Sequence, residues 1–149
     1  MQKPDFPALL KPGIHTMTMQ ELYDLAVVPF NNSRRQLLYQ QLSNWQSDLV
    51  NNAGVGARLW IDGSFLTEKP EPGDIDCVAW EPYEKHQNNL IYQQSEFARL
   101  FDRRHAETVY NLDLYLEYVK DLHREAYWSG LMGFARDRRT AKGFAEIVL

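Results

Sequence analysis

Asp74 and Asp76 are the residues of this chain whose types and spacing point most directly to chemistry. They stand at alternate positions at the start of an apolar run that ends at Trp80. Alternate residues of a β-strand share one face, with Cα atoms about 6.6 Å apart, so both carboxylates can converge on one position. Hard divalent cations such as Mg²⁺ take oxygen ligands and leave places for water and phosphate. The pair therefore predicts a metal and phosphate site, although an isolated D-x-D is most often only solvated.

Other residues suited to such a site flank this pair. Gly63 and Ser64 follow the preceding apolar strand, where glycine lets the backbone approach a phosphate and serine offers an amide and a hydroxyl as donors. Lys69, in the loop between the two strands, could add a positive charge toward a triphosphate. Asp113 lies on a third alternating strand and would join the pair if the strands are neighbours. Carboxylates that lie this close together raise one another's pKa unless a cation neutralises their charge.

Four strands are predicted to position these residues. Period-two alternation and apolar content predict strands over residues 57–61, 74–80 and 112–117, and the apolar ending predicts a strand over residues 144–149. The leucines of the third strand occupy its buried face, so Asp113 and Tyr115 share its open face. The same alternation assigns Cys77, the single cysteine, to the core.

Capping signals and helical spacing predict four helices. Thr18 with Glu21 forms a capping box ahead of a short helix, and Ser33 with Gln36 forms another ahead of a longer helix that ends near residue 52. Two more helices are predicted over residues 95–104 and 121–136. The longer helix carries one apolar stripe, which consists of Leu38, Leu42, Trp45 and Leu49.

The remaining stretches predict irregular structure. Residues 1–17 contain three prolines and one glycine, which predicts an extended arm, and residues 81–89 and 136–142 are polar loops. Arg34 and Arg35, like the arginines of the later loop, are expected on a solvated face, with contact to a nucleotide or a partner as the alternative. The elements predict a single α+β domain over residues 1–149, with a mixed sheet, helices mainly on one face, and the site at the open edge of the other.

Composition limits the class of protein. The 149 residues are 44% hydrophobic and 24% charged, which is typical of one soluble globular domain. A net charge of -4 argues against a protein that wraps long nucleic acid, which requires an excess of cationic residues. The four histidines lack ligand spacing for zinc, and the four tryptophans are expected in the core. The absence of a signal peptide and of 18 consecutive apolar residues predicts a cytoplasmic protein without a membrane span.

The ordered set of motifs resembles a known superfamily. Gly63-Ser64, a nine-residue gap, Asp74-x-Asp76 and a later strand-borne Asp113 resemble the nucleotidyltransferases typified by DNA polymerase beta. The run over residues 62–76 is similar to small bacterial and phage proteins described as nucleotidyltransferase-like. Minimal nucleotidyltransferases that pair with a helical toxin usually carry an arginine after the Gly-Ser and a serine before the first aspartate. In this chain Phe65, Leu66 and Thr67 follow the Gly-Ser pair, and Gly73 stands before the first aspartate.

The resemblance implies a reaction and a set of roles. The reaction is the transfer of a nucleoside monophosphate from a nucleoside triphosphate, with ATP favoured, to an acceptor hydroxyl on a protein side chain or a small molecule. Two Mg²⁺ ions, with Mn²⁺ as an alternative, would be held by Asp74, Asp76 and Asp113, and Asp113 would also help to deprotonate the acceptor. The residues implied to contact the phosphates are Gly63, Ser64 and Lys69.

Other classes of function stay open beside this one. A non-catalytic module of the same fold could act as a regulator or an antitoxin by masking a protein partner, and a role in a toxin–antitoxin pair or in phage defence would fit. A carboxylate-metal nuclease would use similar ions but would not need the Gly-Ser phosphate cradle. A homo-oligomer could complete the site in any of these cases.

Overall fold

The sheet is mixed and has the strand order β1-β5-β2-β3-β4. The computed structural model describes residues 5–84, 90–118 and 122–149. β2 runs antiparallel to β3 and to β5, whereas β1 is parallel to β5 and β4 is parallel to β3. Together with the helices this is the predicted α+β architecture. The strands are β1 (Gly13–Thr16), β2 (Val55–Asp62), β3 (Ile75–Glu84), β4 (Leu112–Glu117) and β5 (Gly143–Val148).

The helices begin at capping residues. At the start of α1, the Thr18 hydroxyl accepts from the Glu21 amide at 3.1 Å, which confirms the predicted capping box. At the start of α2 the cap is Asn32, whose side chain accepts from the Arg35 amide, so the prediction of Ser33 as the cap was wrong by one residue. The helices are α1 (Met19–Ala26), α2 (Ser33–Ser47), α3 (Leu90–Phe101), α4 (Arg103–Tyr110) and α5 (Leu122–Met132).

The predicted helix over residues 95–104 is two helices, because Asp102 interrupts it. Asp102 has an extended backbone (φ -70, ψ 121), and its carboxylate accepts from the His105 amide at 2.8 Å, which caps α4. Asn111, with a left-handed φ of 51, ends α4 and turns the chain into β4. None of the helices in the described ranges is long and apolar enough to span a bilayer.

Other boundaries also differ from the sequence predictions, and α3 begins at Leu90 rather than at residue 95. Residues 13–16 of the predicted irregular arm form β1, because β5 offers them a parallel partner strand in register. β3 continues to Glu84, so the first part of the predicted loop over residues 81–89 is strand, and residues 85–89 lie outside the described ones. The last helix ends at Met132 rather than at residue 136, and its predicted start at residue 121 also lies outside the described ones.

The sheet separates two apolar clusters. Helices α1–α4 pack on one face, where Cys77 and Trp45 are fully buried as predicted. Helix α5 packs on the other face, where Trp128 and Met132 belong to a smaller apolar cluster. Helices therefore cover mainly one face, as expected, and the second face stays open beside α5. The strand residues of the smaller cluster are Trp60, Val78, Trp80 and Phe144.

Candidate functional site

The candidate site lies at the edge of the sheet where β2 ends and β3, β4 and β5 begin. The register pairs Asp62 with Asp76 and Asp76 with Asp113. Since neighbouring strands lie about 4.8 Å apart, these three carboxylates form a row across three strands. By alternation they share the face of Val78 and Tyr115, which is opposite helices α1–α4. The expectation that β3 and β4 are neighbours is confirmed, and Asp113 is the register partner of Asp76.

Electrostatics single out Asp76. Burial, and then the negative charges of Asp74, Asp113 and Asp62, raise the pKa of Asp76 from 3.8 to about 7. The pKa of Asp74 is raised as well, by burial and then by Asp113, whereas Lys69 lowers it. The ionised forms of these groups are therefore disfavoured in the fold, and a proton or a bound cation stabilises them.

Asp62 and Lys142 belong to the same cluster, although they were not predicted as site residues. The Lys142 ammonium donates to both Asp62 carboxylate oxygens at 2.9 Å, and both side chains are mostly buried. Burial raises the pKa of Asp62 to about 6, and the Lys142 charge opposes that shift. In the sequence Asp62 stands directly before Gly63. Its alternation with Trp60 on the same strand face was the signal that could have assigned it to the site.

Gly63 and Ser64 form the turn directly beside Asp76. Gly63 has a φ of 85 and a ψ of -165, a region open essentially to glycine alone, and a Cβ atom there would lie 2.4 Å from the Asp76 Oδ2 atom. Ser64 then opens a short 3-10 turn that ends at Leu66. Within the described residues the Ser64 hydroxyl makes no hydrogen bond to another side chain, so it is available as a donor.

Replacing Gly63 with alanine tests this close approach. We expect Gly63→Ala to lower the free energy of unfolding by about 1–3 kcal/mol, because the added methyl group strains the backbone and displaces the Asp76 carboxylate. Urea denaturation measures the change. Gly73→Ala is the matched control, since a Cβ at Gly73 meets no atom within 4 Å. Equal midpoints for the two variants would contradict the expectation.

A buried arginine holds the loop that connects Ser64 to Asp74. Arg35 is 0% exposed, and its guanidinium donates to the backbone carbonyls of Ala26, Phe65, Thr67 and Lys69 at 2.6–2.9 Å. The guanidinium also lies over the Phe30 ring, with its central carbon 3.7 Å from the ring centroid. Arg35 is not on a solvated face, so that prediction was wrong. It lies three residues before Leu38, on the apolar stripe of α2, and this spacing was the signal for its burial.

Arg34 braces the end of the same loop. Its guanidinium donates to the carbonyl of Pro72 at 3.2 Å and to that of Gly73, directly before Asp74. The side chain is half-buried rather than solvated. The two arginines at the start of α2 therefore determine the path of the loop on both sides of Lys69.

An open cavity of about 670 Å³ lies over this edge of the sheet. Five of the six predicted site residues line it, and Asp113 is not in its wall. The predicted residues in the wall are Gly63, Ser64, Lys69, Asp74 and Asp76. The N-terminal arm and the loop before β5 complete the wall with residues that were not predicted, which include Asp5, Phe6, Phe134, Arg136, Arg138 and Lys142.

Asp113 is held by an arginine instead. The Arg103 guanidinium donates to the Asp113 Oδ1 atom at 2.9 Å and lies 4.0 Å from the centroid of the Tyr115 ring. The Arg103 side chain is 59% exposed and that of Asp113 is 36% exposed. Such exposed ion pairs contribute little net stability, so the contact can be exchanged at small cost.

The oxygen donors suit a hard cation, but their arrangement is incomplete. Asp74 and Asp76 offer two carboxylates beside an open cavity, and Mg²⁺ commonly binds one or two carboxylates and keeps water or phosphate in its other places. Within the described ranges, however, no three Asp, Glu, His or Cys side chains are grouped as the ligands of one metal ion. A third carboxylate ligand would require Asp113 to leave Arg103.

Comparison with known proteins assigns a family but not an activity. A protein-family model with the description "Family of unknown function (DUF6932)" matches residues 4–148. The chain belongs to this family. Because the match covers all the residues that line the cavity, the site described above lies within the DUF6932 region. Searches of curated proteins and of solved structures each returned no match.

Proposed function

We propose that the chain is a metal-dependent nucleotidyltransferase. The reaction transfers a nucleoside monophosphate from a nucleoside triphosphate, with ATP favoured, to a hydroxyl of a protein side chain or a small molecule. One observation carries the proposal: Asp74 and Asp76, both with raised pKa values, lie in one cavity wall with the Gly63-Ser64 turn and Lys69. Carboxylates that are costly to ionise, beside groups that can bind phosphate, fit a site completed by cations and a triphosphate.

The chain's own residues would divide the work as follows. Asp74 and Asp76 hold the divalent cations, which when bound stabilise negative charge on the phosphates and on the leaving group. Gly63 allows close approach of the phosphates, Ser64 donates to them, and Lys69 adds charge. The acceptor oxygen forms a bond to the α-phosphorus, the bond from that phosphorus to the β-phosphate oxygen breaks, and pyrophosphate leaves.

Asp113 is the candidate general base, which would accept the proton of the acceptor hydroxyl. It lies in register with Asp76 but outside the cavity wall, and its ion pair with Arg103 is exposed. To act as the base it must release Arg103 and turn toward the cavity, which the small contribution of an exposed ion pair allows. The acceptor would then approach from the β4 side of the cavity.

Nucleotide-dependent stabilisation tests the proposal. At 100 times the dissociation constant, Mg²⁺ with a non-hydrolysable ATP analogue should raise the melting temperature by about 5 °C or more. The Asp74→Ala, Asp76→Ala double variant should lose this shift, and it should lose pyrophosphate release and label transfer to an acceptor. A double variant that binds the nucleotide and transfers the label like the wild type would rule out the assignment.

A non-catalytic binding module is the second candidate, and the Arg103–Asp113 ion pair is the observation that favours it. A module that only binds a partner does not need Asp113 in the cavity. If this alternative is correct, neither nucleotide nor Mg²⁺ should shift the melting temperature, and no pyrophosphate should be released. A shift without pyrophosphate release, for any acceptor tried, would indicate a nucleotide-binding module.

A further inference from the structure

The loop of residues 134–141, between α5 and β5, is ordered by its own hydrogen bonds. Phe134 and Ala141 form an antiparallel bridge, and the Ala135 amide donates to the Thr140 carbonyl at 2.8 Å. The Asp137 carboxylate accepts from the amides of Arg139 and Thr140 and from the Thr140 hydroxyl. We call these residues the recognition loop. Its shape is therefore set before any ligand arrives.

The end of the recognition loop is tied to the carboxylate row. Lys142 follows the loop directly, its amide donates to the Gly133 carbonyl at 2.8 Å, and its ammonium binds both oxygens of Asp62. Asp62 is the register partner of Asp76. The loop is thus held at a fixed place beside the residues that the proposed function assigns to the cations.

Three side chains of the recognition loop region have the chemistry of a nucleotide site. Phe134, Arg136 and Arg138 line the cavity, and Phe134 is 39% exposed. Neither Arg136 nor Arg138 has a carboxylate partner within the part of the chain that the structure describes, since Asp137 between them is used by the loop itself. Phe6, from the N-terminal arm, lines the same cavity. Neither phenylalanine stacks on another ring of the described residues.

We propose that the recognition loop binds the nucleotide itself: Phe134, with Phe6, stacks on the base, and the guanidinium groups of Arg136 and Arg138 bind the phosphates. This inference rests on the proposed function and adds the residues that select the substrate. A guanidinium matches phosphate oxygens in pairs, and an aromatic ring that is half open to a cavity binds the face of a base. The guanidinium groups and the aromatic rings both lie in the wall of this one cavity.

The same wall determines how the base is selected. Stacking tolerates any base because every base has a π-face, and it strengthens with the area of the ring. The wall near Phe134 continues with Leu131 and Ala135, which offer no side-chain hydrogen bonds to a base edge. Purine nucleotides should therefore bind more tightly than pyrimidine nucleotides, with little difference between ATP and GTP.

Calorimetric titration with two probes separates the two roles. One probe is the magnesium complex of α,β-methylene ATP, and the other is magnesium tripolyphosphate, which has the phosphates but no base. Phe134→Ala should weaken binding of the ATP analogue at least about fivefold and leave tripolyphosphate unchanged, whereas Phe134→Trp should preserve binding of both. Arg136→Ala with Arg138→Ala should weaken both probes at least about tenfold, because charged hydrogen bonds are lost.

Arg139→Ala is the matched control, since Arg139 lies in the same loop but outside the cavity wall. It should bind both probes like the wild type. Equal binding by the Phe134→Ala variant overturns the stacking role, and equal loss in the Arg139→Ala variant overturns the role of the two cavity arginines. If the loop variants bind normally while Asp74→Ala, Asp76→Ala abolishes binding, this inference fails and the proposed function stands. If the wild type binds neither probe, both fail.

Discussion

Asp76→Asn should make the protein more stable without metal and unable to respond to Mg²⁺ and nucleotide. Burial and three neighbouring carboxylates raise the pKa of Asp76 to about 7, so its ionised form is unfavourable in the folded chain at pH 8. The neutral amide has nearly the same shape and removes that cost. Since one pKa unit corresponds to about 1.4 kcal/mol and the pKa rises by about three units, we expect a gain of up to about 4 kcal/mol in the free energy of unfolding at pH 8.

The gain should depend on pH in a defined direction. Between pH 4 and pH 7 the folded wild type retains a proton on Asp76 that the unfolded chain releases, because the folded pKa is the higher one. The contribution of this group to stability is therefore complete below about pH 4 and falls as the pH rises to about 7. The difference between variant and wild type should accordingly be largest at pH 7–8 and vanish near pH 4.

Urea denaturation at several pH values measures this difference, with metal removed by a chelator. Asp113→Asn is the matched control: it makes the same chemical change one strand away, but its side chain is 36% exposed and paired with Arg103. It should change stability by less than about 1 kcal/mol. Addition of Mg²⁺ and a non-hydrolysable ATP analogue should stabilise the wild type and leave Asp76→Asn unchanged. A loss of stability in Asp76→Asn at pH 8 would show that Asp76 is a structural group.

Arg35→Met should destabilise the fold by about 4 kcal/mol, the largest loss expected from a single side chain near the site. Methionine fills the space of the aliphatic stem but leaves four carbonyls without their donor, among them those of Phe65, Thr67 and Lys69. Burial lowers the pKa of Arg35 only to about 10, so the guanidinium is charged at neutral pH and binds these carbonyls as a cation. The loop with Ser64 and Lys69 then loses its main support.

Two measurements distinguish local from global effects. Urea denaturation gives the loss of stability, and amide hydrogen exchange should show lost protection at residues 65–69 under native conditions. Arg34→Met is the matched control, because Arg34 is half-buried and donates only to carbonyls at the end of the loop. We expect it to cost about 1 kcal/mol. Similar losses in the two variants would refute the distinction between the buried and the half-buried arginine.

Local patterns in the sequence predicted much of the fold and five of the residues that line the cavity. Alternation and apolar runs identified β2–β5 and the shared face of Asp113 and Tyr115, and the apolar stripe identified α2. β1 was missed and Arg35 was misplaced because both depend on contacts with residues distant in the chain. Two further failures were local competitions at the starts of helices. Asp102 caps α4 instead of continuing α3, and Asn32 rather than Ser33 caps α2, because each side chain can bond a nearby amide.

By itself the sequence determined which side chains are available for chemistry: carboxylates at alternate strand positions, a glycine and a serine after a strand, and a lysine in between. Only the tertiary structure decided how they combine. The antiparallel register placed Asp62 beside Asp76, and the return of the chain at β5 brought Lys142 to Asp62 across 80 residues. Strand pairing and charge burial depend on contacts between distant residues, and a pattern of neighbours in the chain does not encode them.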